Sequence, residues 1–474
     1  MACVIAAPSS GTGKTLLSLL LTSWASHRKL NIQTFKIGPD YLDPQQLTAV
    51  SKKPCRNLDM VLSGSQWVKD SFYGYGGSSD LSLVEGVMGL FDGRGSSEVG
   101  STAAVARLLQ LPVVLVIDAR GQAASLAALI RGFISHDREL QIAGVVLNHI
   151  NSLRHKKILE DVLNGIGVKM LGHLPNDPKL HLKSKHLGLV PAHEINDLDK
   201  KVEYWARVAE KNLDLTSFSK LLKSPRKSDN PIDKLIQIST KNLSVNRLNL
   251  PPIAIAEDKA FHFRYHETKE YLEKAGINCI SWKPTEDEEI PKQAKGLIIP
   301  GGYPEQYAEQ LSNCKRSMQQ LGIFSKRYPL YAECGGMLIL GQTLTDLHGN
   351  TFPMAGLLPF HSKQASLKLG YRNMTCIQNS LIARKGDKLL GHEFHHWELT
   401  INKRESSKFN NIKNDKDVKY DSIWNVKGSH VADFKEGWGN KSLHASWIHL
   451  HWVSSPNLIG NWLKTIISRQ KNKQ

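Results

Sequence analysis

Cys3-Val-Ile-Ala-Ala-Pro-Ser-Ser-Gly-Thr-Gly-Lys-Thr-Leu-Leu-Ser-Leu-Leu-Leu21 decides the fold of the first half of this 474-residue chain. Residues 3–7 are a short uncharged apolar run, which reads as a buried strand. A glycine-bearing loop follows, and from Leu16 the pattern is helical. Strand, loop and helix in this order form a phosphate cradle. The backbone amides of Ser10, Gly11, Thr12 and Gly13 face the anion, Lys14 adds positive charge, and the Thr15 hydroxyl can ligate Mg²⁺. Pro8 replaces the first glycine of G-x-x-x-x-G-K-[ST], altering the entry to the loop. The same stretch imitates a signal peptide, with Lys14 before the leucines and Ala25 near a cleavage distance. A strand where a basic leader would stand favours the helix instead. No other apolar run approaches the ~20 residues of a membrane span.

Working outward, residues 32–37, 81–84, 113–117 and 143–147 read as further strands separated by helical patterns, the signature of βαβ units and a parallel sheet. Ligands of such sheets bind at the carboxyl ends of the strands. Two loops there carry carboxylates: Lys36-Ile-Gly-Pro-Asp-Tyr-Leu-Asp-Pro44 and Val84-Glu-Gly-Val-Met-Gly-Leu-Phe-Asp-Gly93. Glu85 stands at a strand end, where a phosphate-bound metal would sit, and Asn148 follows a late strand. Between 202 and 250 the texture turns to Ser, Lys, Asn and Pro, which reads as a linker with one or two surface helices. An α/β pattern restarts at 253–256 and continues at 296–299 and 329–332. The expected organisation is α/β throughout: a P-loop parallel-sheet domain over 1–200, a basic linker over 201–250, and a second α/β domain over 251–474.

Composition excludes some classes. Hydrophobic residues at 41% and charged residues at 22% are those of a globular protein. The six cysteines are scattered singly, which suits a reducing cytoplasm better than a disulfide framework. The net charge of +17 invites a nucleic-acid reading, but the lysines are dispersed and no nucleic-acid module accompanies them. Attraction for anionic small molecules is the better account.

The second domain carries its own chemistry. Pro329-Leu-Tyr-Ala-Glu-Cys-Gly-Gly-Met-Leu338 reads strand, sharp turn, helix, with Cys334 at the corner. A thiol on such an elbow is exposed to substrate, and the following helix favours its thiolate. Gly335 lets backbone approach a developing oxyanion, and Gly301-Gly302, ending another strand, supplies the second half of the hole. Cys334 needs an imidazole. The strand-like Ser446-Trp-Ile-His-Leu-His-Trp452 offers His449, and it resembles the terminal His run of class I glutamine amidotransferases, a resemblance that implies an orienting Glu where this chain has His451. His392-Glu-Phe-His-His396 is a literal H-E-x-x-H, but its aromatic surroundings suit a strand. There, positions four apart lie roughly 13 Å from each other, too far for one zinc.

These stretches, with Asn57-Leu-Asp59, Val145-Val-Leu-Asn148, Leu171-Gly-His-Leu-Pro175, His186-Leu-Gly-Leu-Val-Pro191 and Ala256–Tyr265, resemble the cobyrinic acid a,c-diamide synthases over nearly the whole chain. The resemblance implies a dethiobiotin-synthetase-like ATP domain joined to a class I glutamine amidotransferase domain of the Cys–His type. ATP would phosphorylate side-chain carboxylates of a corrinoid, and ammonia from glutamine would displace the phosphate. It further implies that Asp40 and Glu85 serve Mg²⁺ with Thr15, that Asn148 meets the nucleotide, and that Tyr41, Leu42 and Asp92 meet the tetrapyrrole. Lys185 stands where the family pattern has arginine. The implied setting is cytoplasmic, with small-molecule substrates, no nucleic acid and no membrane; a homodimer is one assembly open to it. A P-loop partitioning ATPase, cobyric acid synthase and nickel-sirohydrochlorin a,c-diamide synthase are the rival readings.

Overall fold

The computed structural model describes residues 2–150, 152–182, 184–185, 188–242, 250–401, 422–428 and 431–471. His186 and Leu187 of the quoted motif lie outside these residues. The chain divides into two compact units, Met1–Pro231 and Ile232–Gln474.

The first unit is built on seven parallel strands: β1 (Cys3–Ala6), β2 (Ile32–Ile37), β3 (Arg56–Leu58), β4 (Leu81–Glu85), β5 (Val113–Asp118), β6 (Ile142–Ile150) and β7 (Met170–Pro175). Their order is β3-β2-β4-β1-β5-β6-β7. Both faces are covered, as the uniform apolarity of β1 requires. Ala2, Val4 and Ala6 enter one core, while Cys3, Ile5 and Ala7 enter the other. The signal-peptide-like leucines belong to α1 (Lys14–His27), where Leu17, Leu19, Leu20 and Leu21 are all buried. Strands β3 and β7 were expected only as motifs. Because β4 lies between β1 and β2, with Glu85 in register with Ile5 and Lys36, it brings its terminal carboxylate beside the phosphate loop.

The segment read as a linker is partly core. Helix Leu198–Asn212 sends Trp205, Ala206, Val208 and Ala209 inward, and Phe218 and Leu222 follow them into the same cluster. Lysines and glutamates on its outer face hid this amphipathic pattern.

In the second unit five parallel strands, in the order Cys279–Trp282, Ile253–Ala256, Leu297–Ile299, Leu330–Glu333 and Leu443–Ser446, are extended by antiparallel Trp438–Gly439. A second sheet is dominated by His361–Cys376 pairing antiparallel with Lys388–Thr400. The H-E-x-x-H residues therefore lie on a strand, as their surroundings suggested. No helix among the described residues is long and apolar enough to cross a membrane.

Candidate active site

The phosphate loop turns through two positive-φ glycines, Gly11 (76°) and Gly13 (113°), the latter opening α1. A Cβ on Gly13 would lie 2.5 Å from Asn148 Nδ2, and that amide donates to Thr12 O at 2.8 Å. Asn148 thus braces the loop from the end of β6. Lys14 Nζ donates to the Ser9 and Met88 carbonyls. Burial and the neighbouring Lys36 ammonium pull Lys14 down to about 8, a penalty that an incoming polyphosphate would relieve. A cavity of ≈ 650 Å³ opens here, lined by Ser10, Gly13, Lys14, Thr15, Asn148 and Leu180 among others.

At its floor the Thr15 hydroxyl donates to Glu85 Oε1 at 2.7 Å. Lys36, read only as a strand residue, is almost fully buried, with its Nζ 2.8 Å from Glu85, 2.5 Å from Asp43 and 3.8 Å from Asp40. Burial lowers its proton affinity, but these carboxylates outweigh that and hold it well above the ordinary lysine range. Glu85 is pushed upward by burial. Its second oxygen, Oε2, is buried without a hydrogen-bond partner among the described residues. Among the described residues no three His, Cys, Asp or Glu side chains are gathered so as to hold a metal ion by themselves, and the Lys36 ammonium sits among Asp40, Asp43 and Glu85. The Thr15 hydroxyl and these carboxylates are nonetheless oxygen donors of the kind a hard cation takes. Asp43, three residues after Asp40, was given no role in the sequence reading. Asp40 also ties down its own loop, accepting from Leu42 N at 2.8 Å.

The three residues expected to meet the tetrapyrrole do not line this cavity. Tyr41 and Leu42 are buried where helix Leu42–Ser51 begins, and the exposed Asp92 accepts from Gly89 N at 2.8 Å.

In the second unit, strand pairing assembles the site. Leu330–Glu333 runs parallel to Leu443–Ser446 with Glu333 opposite Ser446, so both strands deliver their next residues to one edge. Cys334 takes φ 44°, ψ −117°, a strained conformation for a non-glycine residue, and its amide is fixed to Ser446 O at 2.7 Å. The helix after it, Gly335–Leu338, is a single turn, so the dipole expected to favour the thiolate is short. The Cys334 Sγ–H points to Phe394 O of the second sheet at 3.6 Å.

His449 does not lie in a strand. The strand ends at Ser446, and His449 makes an isolated antiparallel bridge with His392, N to O at 2.8 and 3.0 Å. A Cβ on Gly301 would meet His449 Cε1 at 2.6 Å and Cys334 Cβ at 3.5 Å, so these three residues converge. Burial pulls the imidazole down, but Cys334 and Glu333 more than reverse this and push it up to about 10. His451 differs. It packs edge-on against Tyr265, and burial pulls it down to about 3.

A Cβ on Gly335 would lie 2.7 Å from Gly302 O and 3.1 Å from Gly302 N, so the two candidate oxyanion backbones touch. Gly302 (φ 156°) passes 2.0 Å from Ala260 O by the same measure, and Gly336 passes 2.3 Å from Ile299 O. The sequence reading missed Glu333. Its Oε2 lies 3.5 Å from His449 Nδ1, and the only signal for it was its place beside the nucleophile.

The profile of the CobQ/CobB/MinD/ParA nucleotide binding domain matches residues 3–190, and that of the CobB/CobQ-like glutamine amidotransferase domain matches residues 252–457. The cobyrinate a,c-diamide synthase of Synechococcus sp. is 36% identical over 468 residues, 98% of each chain. That of Gloeobacter violaceus is 36% identical over 457 residues, covering 95% of this chain and 94% of the relative. The hydrogenobyrinate a,c-diamide synthase of Mycobacterium bovis is 34% identical over 474 residues, covering 98% of this chain and 97% of its own.

Proposed function

Because this chain belongs to the family of the cobyrinate and hydrogenobyrinate a,c-diamide synthases, we propose that it converts the a and c side-chain carboxylates of cobyrinic acid, or a close corrinoid, to amides, using ATP and glutamine. The observation that carries this reading is the presence on one chain of a phosphate cradle and a Cys–His elbow. The family covers the whole length of both. Residues 1–200 are assigned to ATP and substrate, and 251–474 to glutamine.

In the glutamine unit the Cys334 thiolate attacks the carboxamide carbon, and the Gly302 and Gly335 amides receive the negative oxygen. His449 gives a proton to the leaving nitrogen, and ammonia departs. His449 then takes a proton from water, which cleaves the thioester to glutamate. In the nucleotide unit Ser10–Thr15 amides and Lys14 hold the polyphosphate of ATP. Thr15, Asp40, Asp43 and Glu85 are the residues that would hold Mg²⁺, which neutralises phosphate charge when bound. Transfer of the γ-phosphoryl group to a substrate carboxylate oxygen makes an acyl phosphate. Ammonia adds to its carbon and phosphate leaves, whereas the bare carboxylate would repel a nucleophile and offers no leaving group. Lys36 steadies the carboxylates. Asn148 contributes by holding Thr12 in place as well as by facing the nucleotide. Tyr41, Leu42 and Asp92 are assigned to substrate contact, the first two buried and Asp92 on an exposed turn. The six unpaired cysteines suit a cytoplasmic enzyme.

The test is ATP- and glutamine-dependent mass change, run in parallel on cobyrinic acid, its metal-free analogue and nickel-sirohydrochlorin. Amidation of a corrinoid is the expected result; turnover of the nickel compound alone overturns the substrate. Within the glutamine unit, His449→Ala is expected to lower glutamine hydrolysis by about 10²–10⁴-fold. His451→Ala should leave most of it, with only local packing lost. Small, equal losses measured as glutamate release would remove His449 from the mechanism.

A further inference from the structure

The Cys–His reading leaves the imidazole without an orienting acid, since residues 446–452 contain no Asp or Glu. A base that must accept a proton on one ring nitrogen needs its other nitrogen held, so that tautomer and ring plane are fixed. The carboxylate that can do this comes from the other strand. On Leu330–Glu333 alternate side chains share a face, which puts Tyr331 and Glu333 together. Glu333 Oε1 accepts from the Tyr331 hydroxyl and from Leu450 N, the latter at 3.2 Å. With that oxygen anchored twice, Oε2 is left facing His449 Nδ1 at 3.5 Å.

We propose that Glu333 is the positioning residue of the glutaminase site, holding the His449 ring by Nδ1 so that Nε2 serves Cys334. This rests on the glutamine chemistry assigned above to Cys334 and His449. The nucleophile and its orienting acid are then consecutive in sequence, and the base lies more than a hundred residues away. The raised proton affinity of His449 agrees, because Cys334 and Glu333 are the groups that oppose burial there.

The other buried carboxylates described nearby are engaged elsewhere: Glu436 accepts from the Ser446 hydroxyl and from Trp447 N, each at 2.7 Å. Across the bridge His392 faces His449, and burial followed by the His449 charge pulls it down to about 3. Arg372 and His395 are both paired to Glu393. Behind Glu333 a cavity of ≈ 30 Å³, room for about one or two waters, is bordered by Arg264, Tyr265, Lys269, Tyr331 and Trp452. The two cations there are paired to Glu257, at 3.0 and 3.1 Å.

Glu333→Gln keeps shape and one acceptor oxygen for Tyr331 and Leu450, but loses the charge. The expected result is a kcat for glutamine hydrolysis lower by about 10²-fold with KM nearly unchanged. The second readout is the pH dependence of Cys334 alkylation by a small haloacetamide. Without the carboxylate the His449 imidazolium is less stable, so the upper inflection of that profile moves to lower pH. Glu333→Asp retains charge and should recover part of both effects. An unchanged kcat, or a loss of kcat with an unmoved alkylation profile and no recovery in Glu333→Asp, overturns the role and leaves Glu333 as an anchor for the Leu450 backbone. Should Glu333→Gln fail to fold, Glu333→Asp decides alone through its inflection, a shift supporting the role and no shift ending it. Loss of Cys334 alkylation in the parent protein would instead strike the underlying glutamine reading.

Discussion

Replacing Cys334 by serine is expected to lower glutamine-dependent amide synthesis by at least about 10⁴-fold, while high concentrations of ammonium salt restore synthesis. The thiol is one atom among many at the elbow, but no neighbour can replace it. A serine hydroxyl holds its proton far more tightly than a thiol, and the substitution also removes the sulfur charge that, with Glu333, raises His449, so the hydroxyl stays protonated and a poor nucleophile. The substitution adds no bulk in the buried corner, and the backbone at φ 44° stays anchored to Ser446 O, so the fold should persist. Ammonia supplied from solution needs only the nucleotide unit. Measuring amide formation with each nitrogen source separates the two chemistries. A folded variant that makes no amide at any ammonia concentration would mean that the two motif sets do not work as separate sites.

The second large effect is expected in the nucleotide unit. Glu85→Gln should lower ATP-dependent synthesis by about 10²-fold or more with either glutamine or ammonia. The side chain is fully buried, and burial already pushes it toward its neutral form, so a neutral amide should fit. Thr15 can still donate to the amide oxygen, and Lys36 keeps Asp43 at 2.5 Å. What disappears is the negative oxygen that has no hydrogen-bond partner among the described residues and is assigned to a hard cation. Nucleotide affinity should therefore weaken much more with Mg²⁺ than without it, and Cys334 should still react with a glutamine-like electrophile. A variant that binds Mg²⁺–ATP and amidates normally with ammonia would end the magnesium assignment.

How much of this was legible in sequence follows from distance along the chain. The phosphate loop and the Cys334 elbow are contiguous, and strand, glycine and chemistry occur within a dozen residues, so both could be read directly. Glu333 was quoted as part of the elbow but not given a role. Its relation to His449 exists only because residues 330–333 pair in register with 443–446, and no local pattern encodes that pairing. Lys36 was hidden in the same way: an ammonium in a strand reads as an edge until β4 brings Glu85 against it. The long strand His361–Cys376 was missed because most of its side chains are exposed or half-buried, so no apolar run or clean alternation marks it. Helix Leu198–Asn212 was taken for linker because its charges outnumber its core residues, though the four that are buried lie on one face.

The close approaches at Gly302 and Gly336 have a genetic consequence. Any single-nucleotide change that alters a glycine codon to another residue introduces a Cβ, and here that atom would fall 2.0 Å from Ala260 O or 2.3 Å from Ile299 O, both backbone atoms that no rotamer change can move aside. Every one-step missense allele at these two codons is thus a damaging one, whatever the side chain. A saturation library of the glutamine unit should show them as bare columns, and inherited variation in nitrogen-donor use would have to enter through other positions.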